Sequence, residues 1–324
     1  MSSSPEHFAI GIDIGATKIA SVLLSETGET IQSSQIPTLV EEGTAVVLDK
    51  VAEQILSLAQ QSSGALAGVG IGSPGKVDSN HGVVYNAVNL GWDEVHLTEE
   101  IASRIKRSLP IWVQKDANLS ALGEQYFGAG RGLRDFVYLG IGSGLGAGTI
   151  SDGRLITGSD WYAADVGHLS VDPDGPLCVC GGRGCAETVA SGPGLVRVAQ
   201  QMLASSPSNT LLSNGVELTT TDILAAARQG DRLALEALAE VGRVLGIIMS
   251  ACTAILNPSR YVVGGGLGLA GYEFIVPTAR QELARRTVPE SRNLLDILPS
   301  QVESPAVGAA CLVWYARSKE AVNN

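Results

Sequence analysis

The N-terminal part of the chain contains two short apolar runs separated by a glycine turn. Residues 8–14 and 18–24 have the length and the Ile-, Val- and Leu-rich composition of buried strands. Thr27-Gly28 then marks a second turn, after which a third strand is expected. The pattern therefore predicts that the fold opens with a β-hairpin.

The spacing of hydrophobic residues changes between Gly43 and Gln61 to that of an amphipathic helix, which Gly64 is placed to end. Its predicted buried face consists of Val47, Leu48, Val51, Ile55 and Leu58. The next predicted elements are a strand at residues 69–72, a helix with Thr98 as its N-cap that ends before Pro110, a strand at 111–113 and a helix at 117–127.

Residues 136–156 repeat the strand, glycine turn and strand of the N-terminal segment. Aligning Gly11-Ile12 with Gly140-Ile141 also aligns Gly15 with Gly144. A repeat of this kind predicts two similar domains, each opening with a hairpin. Two facing glycine hairpins suit a polyphosphate, because backbone N–H groups approach closely where no Cβ intervenes.

The last part of the chain is mainly helical. A helix at residues 221–228 is expected to be capped by Thr220 or Thr221, and a long apolar helix at 233–256 is stopped by Asn257-Pro258. A short strand at 261–263 is followed at once by three glycines, and residues 305–316 form an apolar closing helix.

Composition narrows the class of protein. A chain of 324 residues suffices for two domains, and its 45% hydrophobic and 17% charged residues are typical of a globular protein. The formal net charge of −11 disfavours nucleic acid as a partner. The N-terminus lacks the pattern of a secretion signal and no apolar run is long enough for a membrane span, so we expect a cytoplasmic protein that does not bind membranes.

Three of the five cysteines lie close to a histidine, in the pattern H-x9-C-x-C-x4-C. Cys178, Cys180, Cys185 and His168 would form a complete tetrahedral ligand set for Zn²⁺, with no position left for a reacting water. A chance cluster of free thiols is the alternative. The closed ligand set favours a structural metal over a reactive one, and the odd number of cysteines argues against a disulfide framework.

Two acidic residues near strand ends are candidates for chemistry. Asp13, with the Gly15, Thr17 and Lys18 that follow, is able to hold Mg²⁺ and phosphate oxygens, although an ordinary hairpin turn has the same composition. Asp116 follows a predicted strand and is placed to accept a proton from a substrate hydroxyl. A helix N-cap is the alternative for Asp116, and spacing alone does not separate the two.

Glycines 142 and 144 with Ala147 give a loose match to a dinucleotide-binding motif. The residues after them predict a hairpin rather than a helix, which argues against that interpretation, since the dinucleotide fold needs a strand, a turn and a helix in that order.

Taken together, five motifs in this order resemble the ROK group of sugar kinases and related repressors, within the sugar kinase, actin and Hsp70 fold. They are D-x-G-x-T at Asp13–Thr17, D-A-N at Asp116–Asn118, L-G-E at Leu122–Glu124, Gly167-His168 with the cysteine cluster up to Glu187, and the glycines near residue 265. The resemblance implies an α/β protein with two similar domains of the actin-like ATPase (ribonuclease H-like) fold around a central cleft. The expected domains are residues 1–115, joined by a C-terminal helix at about 305–324, and residues 116–304, with a zinc loop at 168–185.

The resemblance also implies roles for individual residues in phosphorylation of a hexose by ATP and Mg²⁺. Asp116 would be the general base, and His168 would bind zinc through one ring nitrogen and the sugar through the other. The expected sugar ligands are Asn89, Asp116, Asp165, His168 and Glu187. The expected nucleotide and Mg²⁺ ligands are Asp13, Gly15, Thr17, Lys18, Gly142, Gly144, Gly264, Gly265 and Gly266. A homodimer or larger homo-oligomer is expected.

Two residues depart from the family pattern. Lys115 replaces the asparagine that usually precedes the catalytic aspartate, and Asp165 replaces a glutamate. An ammonium group beside Asp116 would lower the pKa of that carboxyl and weaken it as a base. A different sugar such as an N-acetylhexosamine, mannose or fructose, or a catalytically weakened sugar-binding or regulatory protein, therefore stays open. A DNA-binding repressor is disfavoured by the charge and by a first strand that begins near Phe8, and a zinc hydrolase by the closed ligand set.

Overall fold

The computed structural model describes residues 6–205, 210–212, 217–292 and 296–323. The outer ends of the predicted domains, residues 1–5 and 324, lie outside the described residues. The strands are β1 (His7–Ile14), β2 (Lys18–Ser25), β3 (Thr30–Pro37), β4 (Ala65–Ser73), β5 (Lys76–Asp78), β6 (Val83–Ala87), β7 (Trp92–Val95), β8 (Ile111–Lys115), β9 (Phe136–Ile141), β10 (Leu145–Ser151), β11 (Arg154–Leu155), β12 (Arg260–Gly264) and β13 (Asp296–Pro299). The α-helices are α1 (Thr44–Gln61), α2 (Leu97–Ile105), α3 (Asp116–Phe127), α4 (Gly192–Ser205), α5 (Thr220–Arg228), α6 (Arg232–Leu256), α7 (Gly266–Ala270), α8 (Tyr272–Arg286), α9 (Pro289–Arg292) and α10 (Pro305–Asn323).

The chain forms two compact units. Unit 1 comprises residues 1–132, 155–163 and 301–324, and unit 2 comprises residues 133–154 and 164–300. The main sheet of the first has the strand order β3-β2-β1-β4-β8, and the sheet of the second has the order β11-β10-β9-β12-β13. Each sheet thus consists of an antiparallel meander with two parallel strands added beside its first strand. The two similar domains predicted from the sequence repeat are confirmed as two copies of one topology.

Small residues let α10 lie directly on the main sheet of unit 1. A Cβ at Gly11 would lie 2.0 Å from the carbonyl oxygen of Ala306, and one at Gly70 would lie 1.8 Å from that of Ala309. Gly308 lies equally close to α3, since a Cβ at this position would be 2.0 Å from the carbonyl oxygen of Leu119. Glycine at these positions therefore brings the C-terminal helix within backbone contact of the strands that carry the candidate site.

The core of unit 2 is built around α6. Asp231 caps this helix by accepting a hydrogen bond from the amide of Ala234, and Asn257 ends it in the left-handed conformation. Of the described helices, α6 alone is long and apolar enough to cross a membrane, but most of its apolar side chains belong to the buried core of the unit. Its Gly242 and Gly246 lie against the backbone of α8, where a Cβ would meet carbonyl oxygens at 2.4 and 2.6 Å.

Two helix starts differ from the sequence predictions. Helix α2 begins at Leu97 after His96 and not after a Thr98 cap. Helix α5 is capped by Thr219, whose side chain forms a capping box with Asp222, one residue before the earlier of the two predicted caps. The small three-stranded sheet β5-β6-β7 and the helices α4 and α8 were not predicted, because their short or mixed apolar patterns are interrupted by glycine, proline and charged residues.

Candidate active site

The hairpin turn of unit 1 is fixed by its own backbone and by Thr38. The amide of Gly15 donates to the carbonyl of Lys18 at 2.9 Å. The buried Thr38 donates from its hydroxyl to the carbonyl of Gly15 at 2.7 Å and from its amide to that of Thr17 at 3.1 Å. These bonds define the conformation of the turn that carries the predicted phosphate ligands, whereas the Lys18 side chain is exposed and donates to Gln35 at 3.2 Å.

Asp13 and Asp116 lie near the carboxyl edge of the same sheet. Asp13 pairs with Gly72 of the neighbouring β4, and Gly72 pairs in turn with Gln114 of β8, two residues before Asp116. Burial, together with the charge of the nearby Asp116 carboxylate, raises the pKa of Asp13 to about 7, although the Lys18 ammonium group opposes the shift. The sequence prediction that these two acids serve one site is consistent with this electrostatic coupling.

Helix α3 begins at Asp116 itself. The N-cap position is taken by Lys115, in an extended conformation, so the alternative role of Asp116 as the N-cap does not describe this helix. The Asp116 carboxylate accepts a hydrogen bond from the amide of Ala117 at 2.7 Å. The buried Gln114 braces the strand-to-helix junction, because its side-chain Oε1 accepts from the Lys115 amide at 2.8 Å and from the Asn118 side-chain amide at 3.1 Å.

The L-G-E motif has a role that its sequence did not reveal. Glu124 is fully buried, and one carboxylate oxygen accepts from the amides of Gln301 and Val302 at 2.9 and 3.0 Å. The other oxygen accepts from the amide of Ala129 at 2.6 Å. Glu124 therefore joins the end of α3 to the segment that leads into α10, within unit 1.

Asn89 lies in the exposed turn between β6 and β7. On the same small sheet, the Lys76 ammonium group forms an ion pair with Asp160 at 2.8 Å and lies 4.9 Å from the ring centre of Tyr162. The Trp161 ring also lies near the ammonium group, with its centre 5.7 Å away. No sequence pattern predicted this group of side chains, because residues 155–163 return to unit 1 after the second hairpin.

The hairpin turn of unit 2 is tighter than that of unit 1. Ile141 pairs with Leu145, and the Gly142 amide donates to the Gly144 carbonyl at 2.9 Å. The sequence alignment placed Gly144 opposite Gly15, but Gly144 is the last residue of its turn whereas Gly15 is the first. The strands of the two hairpins therefore correspond, but within the turns Gly15 corresponds in position to Gly142 and not to Gly144.

An open pocket of about 730 Å³ lies against this turn in unit 2. Of the predicted nucleotide ligands, Gly142 and Gly266 line it. The other lining residues are Ser143, Gly192, Pro193, Val196, Arg197, Gln200, Thr219, Thr220 and Leu267. Most of them lie on α4 or just before α5. The apolar spacing of Leu195, Val198 and Met202 after a helix-starting proline is the signal that would have predicted α4.

The glycines after β12 bring this strand against the turn. Gly264 pairs with Gly140 of β9, and Gly265 has a φ of +79°. A Cβ at Gly265 would lie 2.4 Å from the carbonyl oxygen of Ile141, the residue before the turn. Of the three consecutive glycines 264–266, Gly266 lines the pocket, and Gly265 packs against the backbone of the residue before the turn.

The predicted metal ligands come together in one cluster. One ligand atom from each of His168, Cys178, Cys180 and Cys185 lies within 4.8 Å of all the others. The Cys178 sulfur lies 3.7 Å from the His168 Nδ1, and the Cys180 and Cys185 sulfurs are 3.6 Å apart. A tetrahedral zinc ion with bonds of about 2.3 Å to sulfur separates its ligands by about 3.8 Å. The four residues therefore fit a tetrahedral ion.

The thiols of the cluster differ in their surroundings. Burial, together with the neighbouring sulfurs of Cys180 and Cys178, raises the pKa of the Cys185 thiol to about 12. The hydrogen bond from the Gly182 amide, at 3.4 Å, lowers the pKa of the exposed Cys180. None of the five cysteines is in a disulfide bond, so the three sulfurs are available as thiolate ligands.

The other predicted sugar ligands of unit 2 flank this cluster. Asp165 immediately precedes a short 3₁₀ helix that ends at His168. Glu187 lies in a second 3₁₀ turn directly after Cys185, and its Oε2 accepts a hydrogen bond from the Leu145 amide at 2.8 Å. Glu187 is thus bonded to the first residue after the hairpin turn, which the sequence analysis did not foresee.

Comparison with known proteins gives consistent matches along most of the chain. A family model described as "ROK family" matches residues 9–315. The chain is 35% identical over 315 residues to a glucokinase from Thermotoga maritima, covering 95% of this chain and 98% of that protein. It is 30% identical to a xylose repressor from Caldicellulosiruptor bescii, covering 94% of this chain and 76% of the repressor.

The similarity extends to solved structures. The fold matches a ROK family glucokinase from Streptomyces griseus, solved in complex with glucose and AMPPNP, with a TM-score of 0.81 and 34% identity. That match covers 94% of this chain and 98% of the other. The α/β fold with two actin-like domains, predicted from the sequence, is confirmed.

Proposed function

The chain belongs to the ROK family, and we propose that it transfers the γ-phosphoryl group of ATP to a hydroxyl of a hexose, with glucose as the first candidate. The observation that carries the proposal is the similarity to glucokinases over nearly the full length of both chains. Asp116, the first residue after β8, and Asp13 are the acid pair proposed for this reaction, and the electrostatic interaction between their carboxylates supports the proposal.

Asp116 is the general base of the proposed mechanism. Its carboxylate takes the proton of the attacking sugar hydroxyl as the oxygen attacks the γ-phosphorus in line, and the bond to the bridging oxygen breaks to release ADP. The start of α3 suits this role, because Gln114 and Asn118 brace the backbone on either side of the carboxylate.

The pocket of unit 2 is the proposed nucleoside site. Its mixture of glycines, Val196 and Leu267 with the polar Gln200 and Thr219 suits a purine nucleoside, with the turn at Gly142 near the phosphates. Gly15, Thr17 and Lys18 on the other hairpin, together with Gly144, remain the proposed further phosphate ligands.

Asp13 is the proposed ligand for the nucleotide's Mg²⁺, directly or through water. Its raised pKa fits this role, because a bound cation would stabilise the ionised form that burial and Asp116 disfavour. When bound, Mg²⁺ neutralises charge on the phosphates, while Asp116 acts on the proton of the sugar hydroxyl.

Zinc is proposed as a structural metal held by His168, Cys178, Cys180 and Cys185. When bound, it supplies no open coordination position and therefore fixes the loop rather than activating water. The Nδ1 of His168 faces Cys178, which leaves Nε2 as the ring nitrogen for a sugar hydroxyl. Asn89, Asp165 and Glu187 are the other proposed sugar ligands, and the reduced thiols suit a cytoplasmic location.

The test is phosphoryl transfer from ATP to a panel of sugars containing glucose, mannose, fructose and N-acetylated hexosamines, with formation of ADP as the readout. We expect turnover with glucose. Turnover only with another sugar would assign Lys115 and Asp165 to specificity. Sugar binding without turnover on any sugar would instead support the catalytically weakened sugar-binding protein.

A further inference from the structure

Two hydrogen bonds join the segment 187–192 of unit 2 to both arms of the hairpin turn Gly142–Gly144. At the first residue of the turn, the Gly142 carbonyl accepts from the Gly192 amide at 2.7 Å. After the turn, the Leu145 amide donates to the Glu187 carboxylate at 2.8 Å. The segment that begins beside the zinc ligand Cys185 therefore holds the turn proposed to carry the nucleotide phosphates.

The segment is itself tightly bonded. The Ser191 hydroxyl donates to the Glu187 carbonyl at 2.8 Å and accepts from the Gly194 amide at 3.0 Å, in the first turn of α4. Gly192 and Pro193 also line the pocket. A displacement of Glu187 is therefore transmitted to the pocket wall as well as to the turn.

The two glycines of the turn differ in what surrounds them. A Cβ at Gly144 would lie 2.4 Å from the Oε2 of Glu187, whereas a Cβ at Gly142 would meet nothing within 4 Å. Neither residue has a positive φ. Alanine is thus tolerated by the backbone at both positions, but only at 144 does it displace the carboxylate.

We propose that Glu187 is a positioning residue for the nucleotide as well as a ligand of the sugar, so that the two sites are coupled through one carboxylate. A carboxylate has two oxygens: Oε2 holds Leu145, and Oε1 is the acceptor for a sugar hydroxyl. The inference rests on the proposed function. Because coupling of binding is reciprocal, a change at the turn that displaces the Glu187 carboxylate must alter sugar affinity, and a change at Glu187 must alter nucleotide affinity.

The first experiment changes the turn and measures the effect on sugar binding. Binding of glucose in the absence of nucleotide is measured by titration calorimetry for the wild-type protein, Gly144→Ala and Gly142→Ala. We expect Gly144→Ala to weaken glucose binding about tenfold, the effect of losing one charge-assisted hydrogen bond, and Gly142→Ala to leave it unchanged. Equal glucose affinities in the two variants overturn the proposal.

The second experiment changes Glu187 and measures the effect on nucleotide binding. Binding of AMPPNP with Mg²⁺ in the absence of sugar is measured for Glu187→Ala and for Asn89→Ala, a proposed sugar ligand in the other unit. We expect Glu187→Ala to weaken AMPPNP binding about tenfold and Asn89→Ala to leave it at the wild-type value. Wild-type AMPPNP affinity in Glu187→Ala overturns the proposal even where glucose binding is lost.

Thermal melts of each variant establish that it is folded, and the glycine pair decides the question if Glu187→Ala does not fold. Failure of the proposed function looks different. In that case the wild-type protein itself shows no phosphoryl transfer, whether or not it binds glucose, whereas failure of the coupling leaves wild-type turnover and the binding of both ligands intact.

Discussion

The carboxylates of Asp13 and Asp116 lie close enough for the charge of one to raise the pKa of the other. Asp13 is the penultimate residue of β1 and Asp116 directly follows β8, and these two strands flank β4 in the main sheet of unit 1. The pair places repelling negative charge at the edge of a sheet. Such an arrangement costs stability and is typical of a functional site.

The substitution Asp116→Asn is expected to lower kcat about 10²- to 10⁴-fold, because an amide does not accept the proton of the sugar hydroxyl. Sugar affinity, measured by titration calorimetry, should change little, since the amide oxygen replaces one carboxylate oxygen. The matched control is Asp49→Asn, which removes an exposed carboxylate that pairs with Arg104. Retained turnover in Asp116→Asn would show that another group acts as the base.

The substitution Asp13→Asn is expected to stabilise the protein in the absence of Mg²⁺ at alkaline pH. The folded pKa of about 7 lies above the ordinary 3.8, so folding favours the protonated acid, and its contribution to stability is lost as the pH rises from about 4 to 7. Above pH 8, removing this penalty should raise the free energy of unfolding by up to about 4 kcal/mol. Denaturant titrations in EDTA at pH 5 and 8.5 measure the difference, and an equal effect at both values would contradict the assignment.

Asp231 is a control for the pH dependence, because its pKa is lowered whereas that of Asp13 is raised. Burial alone would raise its pKa, but hydrogen bonds from the amides of Ala234 and Leu211 and the Thr210 hydroxyl outweigh burial and lower the pKa. Asp231→Ala should therefore destabilise the protein by about 1 to 2 kcal/mol at neutral pH. The loss should shrink as the pH falls below the unfolded value near 3.8.

The substitution Glu124→Ala is expected to lower the free energy of unfolding by about 3 kcal/mol, because the buried amide of Ala129 and the partly buried amides of Gln301 and Val302 lose their acceptor. Glu124→Gln should be nearly as harmful, since its amide group would turn a donor toward a backbone N–H. Chemical denaturation measures both. Glu53→Ala, which truncates an exposed glutamate of α1, is the control and should change stability by less than about 0.5 kcal/mol.

The elements with strong local signals were predictable from the sequence. The hairpin at Phe8, the long α6 with its Asn257-Pro258 stop and the cysteine cluster each carry a pattern within a short stretch of chain. The repeat of the hairpin was sufficient to predict two similar domains, which the two matching sheets confirm.

What sequence reasoning missed depends on contacts between distant residues. The bond from Leu145 to Glu187 joins positions 42 residues apart, and Glu124 reaches amides 177 and 178 residues away. No local pattern encodes such a pairing. The ion pair between Asp160 and Lys76 was missed for the same reason, since it requires the chain to return to unit 1.

Removal of the metal is expected to destabilise the loop that carries His168 and Glu187. We expect metal analysis to find about one zinc per chain, and Cys180→Ser to lower the zinc content, the melting temperature and the affinity for glucose together, because the four ligands bind one tetrahedral ion. Cys252→Ser is the matched control, because this thiol lies in α6 outside the cluster, so zinc content should be unchanged. A wild-type protein that contains no zinc, and whose melting temperature does not respond to a chelator, would remove the metal from the account of His168. Its orientation would then depend on hydrogen bonds within the loop alone.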